Sequence, residues 1–411
     1  MTSRLRSSEN LFTATSLFFF GQGLFAFVLG LPSEAKPDTD SPLLRATSLL
    51  IYFITIFILA LRWKKTFRAL RENQWILSLV ALAIISILWS SIPDISFRKS
   101  IALAGSTLFG IYFGSHYSFD EQLKMMGWAF GASMILSFMF VILLPGYGVM
   151  NTEAISGAWQ GIYLHKNSLG ENMFISFLVF YFLSKRIKKY SFIFKLACVL
   201  SIVLIYFSDS ATSLISVIFS YLILKLLNYL SLRSKSGVLL ILVFLLLAWV
   251  TSVLLVVNFS AFLSASNKDI TLTGRIPLWE SLWEFIRLKF WFGYGYGAFF
   301  SGLQSETQLL WRIHMWKPPH AHNGLIAVWL DLGFVGLFIF ILGYFGSLGK
   351  ALFTYLTLKD ARALWAFSFL LYTVVYNITE VSFLSINSLN WIISLASIYS
   401  LSSAVKPQPQ E

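Results

Sequence analysis

Long apolar runs, each stopped by charge, recur along this sequence near 11–31, 46–61, 75–91, 100–116, 123–145, 168–184, 192–207, 211–229, 237–258, 324–347, 362–379 and 386–403. A helix needs about 20 apolar residues to cross roughly 30 Å of hydrocarbon, so the runs read as about twelve transmembrane helices. The expected fold is all-α, a polytopic integral membrane protein with one large extracytoplasmic loop. With 57% hydrophobic and 12% charged residues among 411, a soluble core could not hide this much apolar surface. Residues 1–404 read as a single polytopic membrane domain with the loop 259–323 inserted between helices, and 405–411, with Pro407 and Pro409, as a disordered tail. The run at 11–31 is long and ends in Gly-Leu-Pro-Ser-Glu-Ala-Lys, which suits a retained first helix better than a cleaved signal.

The net charge of +12 would suggest nucleic acid in a soluble protein, but the cations here cluster in gaps between apolar runs. Such clusters encode membrane orientation. Arg62, Lys64, Lys65, Arg68 and Arg71 fill one gap. Lys185, Arg186, Lys188, Lys189 and Lys195 surround another, Arg233 and Lys235 a third, and Lys350, Lys359 and Arg362 a fourth. Counting crossings puts all four on one side with Arg4, Arg6 and Lys406, so both termini are expected in the cytoplasm. The loops 146–167, 208–210 and 259–323 then open outward with His165, His314, His320 and His322, while His116 lies near the inner end of a span. The single cysteine, Cys198, sits inside an apolar run, so this chain alone builds neither a disulfide nor a thiolate zinc site.

The large loop gathers most of the chemistry. Pro277 suits the first turn of a helix, and from there Trp279, Leu282, Trp283, Ile286 and Phe290 keep helical spacing against Glu280, Glu284 and Arg287. This predicts an amphipathic helix in the headgroup region with its tryptophans towards lipid. Arg275 falls at its positive end, where an anion would meet a guanidinium and unpaired N–H groups; pairing with Asp269 or a lipid phosphate is the alternative. Gly293, Gly295 and Gly297 alternate with Tyr294 and Tyr296, which suits either sugar stacking or a tight turn with interfacial tyrosines. Lys317-Pro318-Pro319 stiffens the approach to His320-Ala321-His322-Asn323-Gly324. A neutral imidazole there can take a proton from an alcohol near neutral pH, or simply cap the next helix. His-x-His also suits metal ligation, but few carboxylates and no further cysteine lie on that side, so no metal and no cofactor is expected. Asp331 interrupts the tenth run, or lies at its edge if the span begins at Leu332.

Two more stretches face the same side: Gly157 to Gly170, with His165 and Lys166, and the turn Ser208-Asp209-Ser210-Ala211-Thr212-Ser213. Lys166 can counter phosphate charge, and the serines can bind sugar or close the turn.

The order of motifs resembles the bacterial O-antigen ligase and O-antigen polymerase superfamily, which includes exopolysaccharide polymerisation proteins. The resemblance rests on Trp89-Ser90 with Pro93 and Arg98, Gly-x-x-x-His-Lys-Asn-x-Leu-Gly at 161–170, the serine-rich turn at 208–213 and Thr-Gly-Arg at 273–275. It continues through Phe292-Gly293-x-Gly295, His322-Asn323 and Gly333-x-x-Gly336. It implies a metal-independent membrane glycosyltransferase acting on a polyprenyl-diphosphate-linked oligosaccharide at the outer face of the inner membrane. The acceptor would be a sugar hydroxyl of lipid A core or of a growing glycan, and a chain-length regulator is a further expected partner. By matching position, Arg275 would hold the diphosphate and His322 would be general base, with inversion at the attacked carbon. Lys166, His165, His320, Asn323, Arg312, Tyr294 and Tyr296 complete the expected donor and glycan contacts. Many ligases carry an arginine just after the serine-rich turn, whereas Ala211-Thr212-Ser213 stands here; Lys166, Arg312 or Lys317 would have to replace it. A transporter or flippase of the same lipid-linked glycan is the rival reading, and it predicts charges within spans and functional groups on both faces.

Overall fold

The computed structural model describes residues 3–29, 41–151, 156–230, 275–302, 305–314 and 317–402. The predicted span at 237–258, the cations Arg233 and Lys235, Thr273-Gly274, Asp269 and the tail lie outside the described residues. Helices of ten residues or more are α1 (Ser3–Phe20), α2 (Pro42–Leu61), α3 (Trp63–Glu72), α4 (Gln74–Ile85), α5 (Pro93–His116), α6 (Phe119–Leu143), α7 (Lys166–Arg186), α8 (Ser191–Phe207) and α9 (Ala211–Tyr229). They continue with α10 (Arg275–Leu288), α11 (Ser305–His314), α12 (Gly324–Leu358), α13 (Ala361–Tyr376) and α14 (Leu389–Ser402). One short hairpin, β1 (Val149–Asn151) with β2 (Ser156–Trp159), pairs antiparallel with Val149 opposite Trp159.

The helical class read from the sequence is what the chain adopts, but the span count differs. Among the described residues five helical segments are long and apolar enough to cross a membrane: Pro42–Leu61, Phe119–Leu143, Lys188–Phe207, Ala211–Asn228 and Gly324–Leu358. A sixth arises if Trp63–Glu72 and Gln74–Leu88 count as one bent span. The remaining runs fall short for physical reasons. α13 and α14 are apolar but shorter, and α7 carries Lys166, Glu171, Lys185 and Arg186 within its own length.

The chain divides into two compact units, one drawn from residues 1–72, 105–221 and 386–411 and the other from 73–104 and 222–385. In the first, Glu9 on α1 is buried and takes two hydrogen bonds from Arg62, at 2.8 and 2.6 Å, and one from the Tyr112 hydroxyl at 3.0 Å. A buried carboxylate needs such charge-assisted partners, and these tie α1 to the end of α2 and to α5. Gly170 lets the serine-rich turn approach α7, because a Cβ there would meet Ser213 Oγ at 2.6 Å.

In the second unit, Leu278, Leu282, Phe285 and Ile286 of α10 follow one helical stripe and are buried with Tyr294, Phe299, Leu310, Ala321 and Leu330. α12 is broken at Gly333, whose φ of 67° and ψ of −171° are non-helical. The break frees backbone groups that the loop after α10 then satisfies. Tyr294 and Gly295 donate to the carbonyls of Leu330 (2.7 Å) and Asp331 (3.2 Å), and Phe334 donates to Phe290 (2.8 Å). A Cβ at Gly333 would lie 2.2 Å from the Trp291 carbonyl, so only glycine fits.

Candidate active site

Arg275 is the first residue of α10. Its guanidinium meets Glu380 Oε1 at 3.1 Å, and the other carboxylate oxygen lies 3.9 Å from His322 Nδ1. All three side chains are mostly buried, at 22%, 15% and 17% exposure, so the charges interact in a medium poorer than water. Burial pushes the Glu380 carboxyl above the usual carboxylate range, against the pull of Arg275. Glu380 thus links a fixed cation to an imidazole.

The backbone beneath this cluster is fastened at several points. Asn323 caps α12, its Oδ1 accepting from the N–H groups of Leu325 (3.0 Å) and Ile326 (3.1 Å). Its Nδ2 donates to Ile378 O at 3.3 Å, and Gly324 N donates to Asn377 O at 2.8 Å. Asn377 in turn accepts from the N–H groups of Ser382 and Phe383, which closes the turn holding Glu380. On the other flank Trp279 Nε1 donates to Ala321 O at 2.8 Å. His322 itself stands at φ +49°, in the left-handed region that favours glycine.

The rings of His320 and His322 lie tilted by 52° with centroids 4.1 Å apart, and His320 Nδ1 accepts the His322 backbone N–H at 3.2 Å. That bond assigns the ring proton of neutral His320 to Nε2, making it a donor. His320, His322 and Glu380 do bring ligand atoms within 4.8 Å of one another. They fit a metal poorly. The tautomer at His320 aims a proton rather than a lone pair from Nε2, and Glu380 already compensates Arg275.

In the first unit His165 repeats the motif: it caps α7, and its Nδ1 accepts from Asn167 N at 3.1 Å. Lys166 reaches the serine-rich turn and pairs with Asp209 Oδ2 at 2.6 Å, where the Asp209 side chain is 81% exposed. The serines there bond locally, Ser208 Oγ to Ile205 O and Ser210 Oγ to Ser213 Oγ, as a closed turn requires. Lys166 therefore stands beside the turn that lacks the ligases' arginine.

Two expectations are corrected. Tyr294 and Tyr296 are 1% and 4% exposed, so neither face is open to a sugar. Their hydroxyls bond Phe285 O and Leu384 O, and burial pushes the Tyr294 hydroxyl up to about 12. The Gly-Tyr alternation is a packing device: the glycines admit the turn and the tyrosines fill the core. Likewise Trp279 faces the His-x-His segment rather than lipid, while Trp283 remains 40% exposed. Arg312 is exposed on α11, Lys317 lies over the Trp311 ring at 5.4 Å, and His314 bonds Ser281 at 3.0 Å.

Residues 196–341 match the family model described as O-antigen ligase. Over 355 residues the chain is 25% identical to the exopolysaccharide production protein ExoQ of Rhizobium meliloti (strain 1021), covering 80% of this chain and 77% of that protein. Both findings support the O-antigen ligase and polymerase superfamily. The segment matched to O-antigen ligases holds Arg275, His320, His322 and Asn323, and stops short of Glu380. Sequence reasoning missed Glu380. Its signal was available: it is the one carboxylate between Asp360 and the terminal Glu411, at the end of an apolar run.

Proposed function

We propose that this protein is a membrane glycosyltransferase that extends or transfers a glycan carried on polyprenyl diphosphate. The observation that carries the reading is the Arg275–Glu380–His322 cluster, in which one carboxylate pairs with the cation at 3.1 Å and lies 3.9 Å from the imidazole. In the reaction, His322 Nε2 takes the proton of an acceptor sugar hydroxyl as its oxygen bonds to the donor's anomeric carbon. The bond from that carbon to diphosphate breaks, and the polyprenyl diphosphate leaves with the electron pair. The geometry of a single displacement implies inversion. Glu380 steadies the imidazolium from the Nδ1 side, and Arg275 offsets charge on the leaving group. His320 Nε2–H, beside His322, donates to a phosphate or sugar oxygen. No metal is needed, since cations and a base are both supplied by side chains. The site faces the periplasm of a multi-pass inner-membrane protein with both termini cytoplasmic. Similarity to an exopolysaccharide production protein favours a growing glycan over lipid A core as acceptor.

Liposomes containing the purified protein and a polyprenyl-diphosphate oligosaccharide test this directly. Release of diphosphate lipid with longer glycan is expected, lost in His322→Ala and unaffected by EDTA. Intact donor moving between leaflets without a new covalent product would replace this reading with a transporter. Inhibition by EDTA that added divalent metal reverses would overturn metal independence.

A further inference from the structure

The charge cluster after α2 is a folded surface with three distinct faces. α2 is 20 residues long and mostly apolar, enough to use up the hydrocarbon thickness, and a single residue, Arg62, separates it from α3. α3 therefore begins at the membrane boundary. Its ten residues read Trp-Lys-Lys-Thr-Phe-Arg-Ala-Leu-Arg-Glu. At about 100° per residue they sort into three arcs. Thr66 and Ala69 turn inward: Ala69 is buried and Thr66 Oγ1 donates to Leu59 O at 2.9 Å. Trp63 and Phe67, one turn apart, point outward and are 63% and 52% exposed. Lys64, Arg68 and Arg71 form the next arc, all exposed, with Glu72 the only acid in the helix. Arg71 lies over the Phe67 ring at 4.4 Å and Lys64 over Trp63 at 5.8 Å, so the cations are draped along the edge of the apolar arc.

We propose that α3 is an interfacial helix that binds anionic phospholipid headgroups. Trp63 and Phe67 enter the boundary between headgroups and acyl chains, while Lys64, Arg68 and Arg71 meet the phosphates just above them. Charge complementarity identifies the occupant: three neighbouring cations beside an aromatic pair fit a sheet of anionic headgroups, whereas a protein groove would need to bury all three. This surface does not depend on the transferase reading.

The test uses the full chain in detergent and in nanodiscs. Native mass spectrometry after exposure to equal phosphatidylglycerol and phosphatidylcholine should show about tenfold preference for the anionic lipid, falling to within twofold in the K64Q/R68Q/R71Q variant. These are exposed positions, and an unchanged gel-filtration profile will show that the variant is folded. Equal retention of both lipids by the wild type, or unchanged preference in the variant, would overturn the proposal. A nitroxide at Phe67→Cys, on a Cys198→Ser background, should be reached by oxygen more than by a water-soluble nickel chelate. The opposite order places Phe67 in water and overturns it as well.

Discussion

Two helix approaches in the chain share one hydrogen-bond device and differ in the charges set beside it. At α7 and at the segment leading into α12, an imidazole Nδ1 accepts the backbone N–H two residues on, His165 from Asn167 and His320 from His322. Each leaves a neutral ring with its proton on Nε2. The cations beside them diverge. Lys166 is paired with an exposed carboxylate, Asp209, whereas Arg275 is paired with a mostly buried one, Glu380, that also reaches a second histidine. A pair with an exposed member is weak and exchangeable, because water screens it and competes for it. A buried pair is expensive to break, because one charge is left without a partner. The first helix start thus offers a cation that an incoming phosphate can capture, and the second a preset cluster of cation, carboxylate and base.

If that contrast is right, the largest effect belongs to His322. His322→Ala should lower kcat by about 10²–10⁴-fold in the liposome assay, whereas a loss under threefold would return it to a capping role. Arg275→Ala should lower kcat about 10²-fold and also destabilise the protein, by on the order of 2 kcal/mol, by stranding Glu380. Adding Glu380→Gln should recover the melting temperature in detergent without recovering activity; recovery of both would make Arg275 purely structural.

Glu380→Gln alone should cut kcat about tenfold and change its pH profile. Burial raises the Glu380 carboxyl, so the native state holds this proton more tightly than the unfolded chain. The carboxylate is lost as pH falls through the raised value, giving an acid limb above the ordinary glutamate range. The same shift makes its contribution to stability decline as pH rises from the unfolded value through the folded one. The glutamine variant should lack both trends, and an unchanged acid limb in kcat would remove Glu380 from the reaction. The smallest effects lie at the first helix start. Lys166→Ala should raise KM about fivefold with little change in kcat, and Asp209→Asn should lower KM about twofold by releasing Lys166. A kcat loss at Lys166 as large as that at Arg275 would erase the contrast.

Much of the scaffold was legible in the sequence because hydropathy and helical spacing report burial directly. Pro277 with the spacing of Trp279, Leu282, Trp283, Ile286 and Phe290 announced α10, and the apolar run from 324 announced α12, although Asn323 rather than a histidine caps it. The break at Gly333 was hidden, since apart from Asp331 the run around it is apolar and a backbone bend leaves no trace in hydropathy. Tyr294 and Tyr296 were misread because alternating small and aromatic residues suit an exposed platform and a packed turn equally well. Glu380 was missed for a third reason. It stood out as a lone carboxylate, but its partners lie more than 50 residues earlier in the chain, and no local pattern reports a pairing made only through space.

The left-handed backbone at His322 has a consequence for how such a protein would respond to selection. A side chain at that φ is strained by roughly 1 kcal/mol relative to glycine. A library screened for thermal endurance alone should therefore accumulate glycine at 322 and return a sturdier, inert protein, while a screen for polymer made would restore histidine. On the proposed mechanism the imidazole would be kept by what it does, against the preference of the chain that carries it.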